Sequence, residues 1–101
     1  MARTPIHPGE ILKDELNGLN ISAAELARIL KVPTNRITQI IKGKRALTAD
    51  TALRLGQFFD TGAELWLNLQ KSYELRLAQK QNSKEISRIP HMRNMKQFIT
   101  A

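Results

Sequence analysis

Cysteine is absent from this 101-residue chain, which excludes a disulfide framework and any thiolate metal site. Histidine is scarce: His7 and His91 stand near opposite ends, and neither belongs to a cluster with metal-ligand spacing. There is no glycine-rich phosphate loop and no nucleophile–base motif for covalent catalysis. The sequence therefore offers no catalytic residue, no metal site and no cofactor site, and an enzyme is not expected. No apolar run approaches the ~20 residues needed to span a bilayer. The first ten residues, MARTPIHPGE, lack the apolar core of a signal peptide, so a cytoplasmic protein without membrane contact is expected. No segment alternates apolar and polar residues as a strand does, which leaves helices.

Acid is missing from one stretch in particular. Between Glu25 and Asp50 no Asp or Glu occurs, yet Arg28, Lys31, Arg36, Lys42, Lys44 and Arg45 all do. The net charge of +7 is unevenly placed: residues 1–47 hold eight basic and four acidic residues, 48–80 hold four of each, and 81–101 hold four and one. A basic stretch on a folded segment is the electrostatic footprint of a polyanion partner.

What remains is a run of five helices. Pro8 suits the first position of a helix, where its missing N–H is no loss; Ile11, Leu12, Leu16 and Leu19 follow at helical spacing, and Gly18 and Asn20 mark the end. Ser22 and Glu25 form a capping box opening a second helix to about Leu30. Pro33 disfavours helical backbone at Val32 and ends it. A third helix spans about 34–42, with Ile37, Ile40 and Ile41 on one side and Gly43 as a left-handed cap. Thr48 caps a fourth helix to about Phe59, which buries some combination of Ala52, Leu53, Leu55 and Phe59. Thr61 and Glu64 offer a second capping box for the longest helix, expected to end near Lys80. Leu65, Trp66, Leu69, Tyr73 and Leu77 form its apolar stripe, and His7 is expected to lead into the first helix. From Gln81 the pattern fades, so residues 1–80 read as the folded domain and 81–101 as a basic, flexible tail.

The second and third helices are joined too tightly to be antiparallel neighbours, which is the signature of a helix-turn-helix. That motif needs a small residue where its helices cross, and Ala27 supplies it; Leu26, Leu30, Val32, Ile37 and Ile40 supply the apolar anchors. Lys31 departs from the pattern, standing at the turn position often held by glycine. With the isoleucines buried, Thr34, Asn35, Arg36, Thr38 and Gln39 remain outward or lateral. Asn and Gln can bridge the two hydrogen-bonding groups on adenine, and Arg those on guanine, so these five are the base-reading candidates in double-stranded DNA. Lys42, Lys44 and Arg45 follow where the chain would pass the phosphates.

The order His7-Pro8-Gly9-Glu10-Ile11-Leu12, the helix-turn-helix, Ala46-Leu47-Thr48, Glu64-Leu65-Trp66-Leu67-Asn68-Leu69-Gln70 and Tyr73-Glu74-Leu75 resembles HigA-type antitoxins, in the phage-repressor-like (XRE) helix-turn-helix family. The resemblance covers about residues 5–80. It implies an all-α, compact five-helix fold with a C-terminal tail, a homodimer on a palindromic operator, and a HigB-type toxin partner that cuts mRNA in the RelE-like manner. The antitoxin would neutralise that toxin and repress their shared operon. The start of the second helix, Ser22 and Ala23, is the remaining phosphate-contact candidate; Ala23 stands where related repressors often carry a polar contact and offers only its backbone N–H. Leu67, Tyr73, Leu75 and Leu77 are the candidate dimer residues, because Leu67 and Leu75 lie off the main stripe and a helix apolar on two sides needs two partners. A stand-alone repressor without a toxin is the alternative, and a protein-interaction module with an incidental basic face is the third.

Overall fold

The computed structural model describes residues 4–95. The order is α1 (Pro8–Leu19), α2 (Ala23–Leu30), α3 (Thr34–Ile41), α4 (Ala49–Phe59) and α5 (Ala63–Ser87), followed by a single 3₁₀ turn, Met92–Asn94. Among the described residues there is no strand, and the all-α, five-helix fold expected from the sequence is the one observed.

Local signals set most of the helix ends. Ser22 Oγ accepts from the Glu25 N–H and the Glu25 carboxylate accepts from the Ser22 N–H, both at 3.1 Å. A similar reciprocal pair opens α1, where His7 Nδ1 accepts from the Gly9 N–H at 2.9 Å and the His7 N–H donates to Glu10 at 3.3 Å. Helices α1, α2 and α4 each end on a left-handed residue that is not glycine: Asn20, Lys31 and Asp60. Lys31, at φ 61°, therefore carries a steric penalty on the order of 1 kcal/mol. Its turn is tied down nonetheless, because the Val32 N–H reaches back to the Ala27 carbonyl at 3.0 Å.

Two expected caps differ. Thr48 occupies the N-cap of α4, but its side chain makes no capping bond. The Thr61–Glu64 box does not form: Gly62 is the N-cap of α5, at φ 80°. Thr61 Oγ1 instead accepts from the Trp66 indole N–H at 3.1 Å. Trp66 is buried, and a buried indole N–H without a partner costs more than an exposed helix end that water can solvate. The α4–α5 corner is also tight, since a Cβ on Gly56 would overlap the Gly62 carbonyl.

The core joins Leu12 and Leu16 of α1, Leu26, Ala27 and Leu30 of α2, Ile37 and Ile40 of α3, Leu47, Ala52 and Leu55 around α4, and Trp66 of α5. Leu19 and Leu53, by contrast, are largely exposed. The radius of gyration, 18.6 Å, exceeds the roughly 13 Å of a compact chain this long, because α5 projects beyond the bundle. The helical stretch continues to Ser87, but a kink at Asn82 (φ −125°, ψ 17°) divides it into two helices. The long one therefore ends close to the expected Lys80, and a short second one follows. The apolar stripe stops at Leu77, and beyond the kink the short segment to Ser87 is exposed, held by good helix formers such as Lys84 and Glu85 without burial. The last expected tail residues, 96–101, lie outside the described ones.

Candidate nucleic-acid interface

Helix α3 is pinned by two fully buried side chains, Ile37 and Ile40. At about 100° per residue these define the inner direction. Asn35, Thr38, Gln39 and Lys42 then point away from the core, while Thr34 and Arg36 flank that edge on opposite sides. The burial pattern agrees: Thr34, Asn35 and Lys42 are exposed, and Arg36, Thr38 and Gln39 are half-buried.

The polar side chains on this edge are largely unengaged. Pro33 is the N-cap of α3 and has no side-chain acceptor, so neither Thr34 nor Asn35 serves as a cap. Among the described residues the side chains of Thr34, Asn35 and Gln39 make no hydrogen bond, and Thr38 Oγ1 makes only a 3.3 Å bond to the Asn35 carbonyl. Because both side-chain amides are free, they are available to a ligand.

The chain leaves α3 by folding back on it. The Lys42 N–H donates to Thr38, Gly43 to Ile40 and Lys44 to Gln39, at 3.1, 3.0 and 2.9 Å. Lys42, Lys44 and Arg45 are exposed along this exit. Its far end is latched by Gln70, a buried side chain on α5 whose Oε1 accepts from the Leu47 N–H at 2.8 Å and whose Nε2 donates to Glu74 at 3.0 Å. Gln70 thus fixes the loop that carries the cations. Sequence reasoning named Gln70 only within the motif of the resemblance and assigned no role to it, to Asp50 or to Arg54. The Asp50 carboxylate accepts from Arg36 at 2.8 Å and from Arg54 at 3.0 Å. Arg54, then Arg36, hold the Asp50 carboxyl below its usual range despite some opposing desolvation. The 50/54 spacing on α4 was the one available signal for that pair. A hollow of about 460 Å³ opens beside it, bounded by Arg36, Arg45, Ala46, Thr48, Asp50 and Thr51.

Ser22 and Ala23 sit at the start of α2, exposed and half-buried, with the Ser22 hydroxyl engaged in its capping box. The four candidate dimer residues are divided. Leu67 and Leu75 line an open groove of about 610 Å³ with Leu47, Lys71 and Ala78. Tyr73 instead meets the His7 ring edge-on, at 4.9 Å between centroids, and Leu77 is half-buried on the Trp66 side of α5.

His7 lies beneath the basic exit, its ring 3.8 Å from where a Cβ on Gly43 would stand. Burial lowers its pKa from the ordinary 6.5, while a backbone contact to Arg45 and the Glu10 carboxylate pull part of the way back. The fold prefers the neutral imidazole, so the unfolded chain protonates first as pH falls. Stability from this group is complete above about pH 6.5 and declines below it until the folded value is passed. Urea unfolding of the wild type and His7→Asn should therefore show the wild type losing stability faster between pH 7 and 5. Parallel pH profiles would refute the assignment.

The profile of the helix-turn-helix family matches residues 12–66. An addiction module antidote protein of a HigA family from Coxiella burnetii superposes with TM-score 0.85 at 51% identity, over 88% of this chain and 100% of that one. Antitoxin HigA of Pseudomonas aeruginosa, solved with the higBA promoter, superposes with TM-score 0.83 at 48% identity, over 87% of this chain and 98% of that one. Virulence-associated protein I of Dichelobacter nodosus is 48% identical over 75 residues, which is 73% of this chain and 69% of that protein.

Proposed function

The chain belongs to the helix-turn-helix family, in its HigA-type branch, and from that premise we propose that it is the DNA-binding antitoxin of a toxin–antitoxin module. It binds a palindromic operator as a dimer, represses its own operon, and neutralises a HigB-type, RelE-like mRNA endonuclease. The observation that carries the DNA reading is α3 itself: a helix pinned by Ile37 and Ile40 that turns two unengaged amides, Asn35 and Gln39, outward beside a basic exit. The structure of a 48% identical antitoxin with promoter DNA supports it.

In this reading residues 1–80 carry DNA binding, with α3 in the major groove. Thr34, Asn35, Arg36, Thr38 and Gln39 meet base edges. Lys42, Lys44 and Arg45, with the start of α2 at Ser22 and Ala23, hold the phosphates and set register. The open α5 groove of Leu67 and Leu75 is the candidate symmetric contact, and a palindromic operator requires the two recognition helices to sit about 34–36 Å apart, one helical turn of DNA. Among the described residues no helix is long and apolar enough to cross a membrane, which suits a protein acting on DNA.

Fluorescence anisotropy with a duplex from upstream of the protein's own gene, against a scrambled duplex of equal length, tests the reading. A preference of about 10³ or more for the native duplex is expected. Equal, salt-sensitive binding to both would leave only a charge interaction. In the same assay Lys44→Ala should weaken binding to both duplexes and flatten the dependence of log K on log salt by about 0.9 for each Lys44 engaged. An unchanged slope would remove Lys44 from the phosphate contacts. Co-purification of a small toxin tests the neutralising role separately.

A further inference from the structure

We infer that Asp50 is a positioning residue for Arg36, orienting its guanidinium at the edge of α3 to read a guanine. This rests on the DNA-reading function proposed above. One oxygen of the Asp50 carboxylate, Oδ2, receives Arg36 Nη1 at 2.8 Å and Arg54 Nε at 3.0 Å. Arg54 Nη1 in turn donates to the Leu30 carbonyl at 2.7 Å. That carbonyl belongs to the last residue of α2 and has no partner within its own helix. A single chain of bonds therefore runs from the end of α2, through α4, to the third residue of α3.

Fold stability is a poor explanation for this arrangement. The Arg36 and Asp50 side chains are 30% and 56% exposed, and ion pairs at such sites contribute little. Orientation is the better one. Arg36 lies on the flank of α3 rather than at the centre of its outward edge, so an unrestrained side chain would sample many positions off the groove. A bond through Nη1 sets the plane of the guanidinium and leaves N–H groups for the O6 and N7 acceptors of guanine. Two guanidinium groups on one carboxylate also leave the cluster with a net positive charge, so Asp50 does not break the basic face presented to a polyanion.

The test is an anisotropy series with the full-length protein and a panel of duplexes, each with one base pair of one operator half-site replaced. The wild type should lose roughly 10- to 100-fold on replacement of one G·C pair. Asp50→Ala should reduce that loss to about threefold or less while penalties at the other pairs stand. Arg36→Ala should do the same, and Arg36→Ala with Asp50→Ala should add nothing further. Asp50→Glu should restore discrimination, which a merely structural role would not predict. Asp50→Asn, which keeps the shape of the α4 terminus, should lose it at an unchanged melting temperature and so guards against a folding defect. Full retention of the G·C penalty in Asp50→Ala and Asp50→Asn would overturn the inference, as would equally tighter binding to every duplex, the mark of simple repulsion. A wild-type profile with penalties elsewhere but none at a G·C pair would overturn it alone. A profile flat at every position would overturn the DNA-reading function as well.

Discussion

Gly9→Ala is expected to destabilise the domain by about 3 kcal/mol or more, the upper end of overpacking effects. A Cβ at this position would overlap the Ile40 carbonyl oxygen and stand 2.7 Å from its carbon and 3.0 Å from Ile41 Cα. These are backbone atoms, so no rotamer change relieves the clash; α1 and α3 must move apart. Such a loss is a large fraction of the 5–15 kcal/mol that typically separates folded from unfolded. Because the displaced element is α3, DNA binding should fail in parallel. Gly18→Ala supplies the control in the same helix. Nothing lies within 4 Å of its Cβ position, and replacing an unstrained helical glycine should stabilise by about 0.5–1 kcal/mol. Urea unfolding followed by far-UV circular dichroism separates the two; a Gly9→Ala protein as stable as the wild type would refute the backbone-to-backbone approach of α1 and α3.

Asn35→Ala combined with Gln39→Ala should lower the preference for the native upstream duplex over a scrambled one by roughly 10²-fold or more, given about 1–3 kcal/mol for each bidentate base contact. The melting temperature should barely change, because neither side chain makes a hydrogen bond among the described residues and substitutions at such sites usually fall within about 0.5 kcal/mol. Binding to scrambled DNA at low salt should also persist, since Lys42, Lys44 and Arg45 remain. The two positions are one helical turn apart, so the single and double variants are measured together to expose coupling. A double variant that still discriminates would move base reading away from α3.

Signals that act within one helical turn were legible directly. The Ser22–Glu25 box, the stop at Pro33 and the isoleucine spacing each concern residues no more than four apart, and each appears in the fold where local chemistry demands it. The same spacing identified the outward edge of α3, since burial of Ile37 and Ile40 leaves only one direction for Asn35 and Gln39. The short helical segment beyond the Asn82 kink escaped this reasoning for a related reason. Apolar periodicity reports which face is buried rather than where a helix stops, and a solvated helix of good formers carries no such mark.

Contacts between distant residues were decided by tertiary packing alone. Thr61 gave up its capping role once Trp66 was buried beside it with an indole N–H to satisfy. Arg36 meets Asp50 across 14 residues, Gln70 holds Leu47 across 23, and Arg54 holds Leu30 across 24. No local propensity encodes such pairs, because their polar groups find one another only after the apolar core has set the angles between helices. The sequence by itself determined which helix faces outward and with what chemistry. Packing decided which of its side chains stay free, which is steadied by a neighbour, and how firmly the basic loop beside it is held.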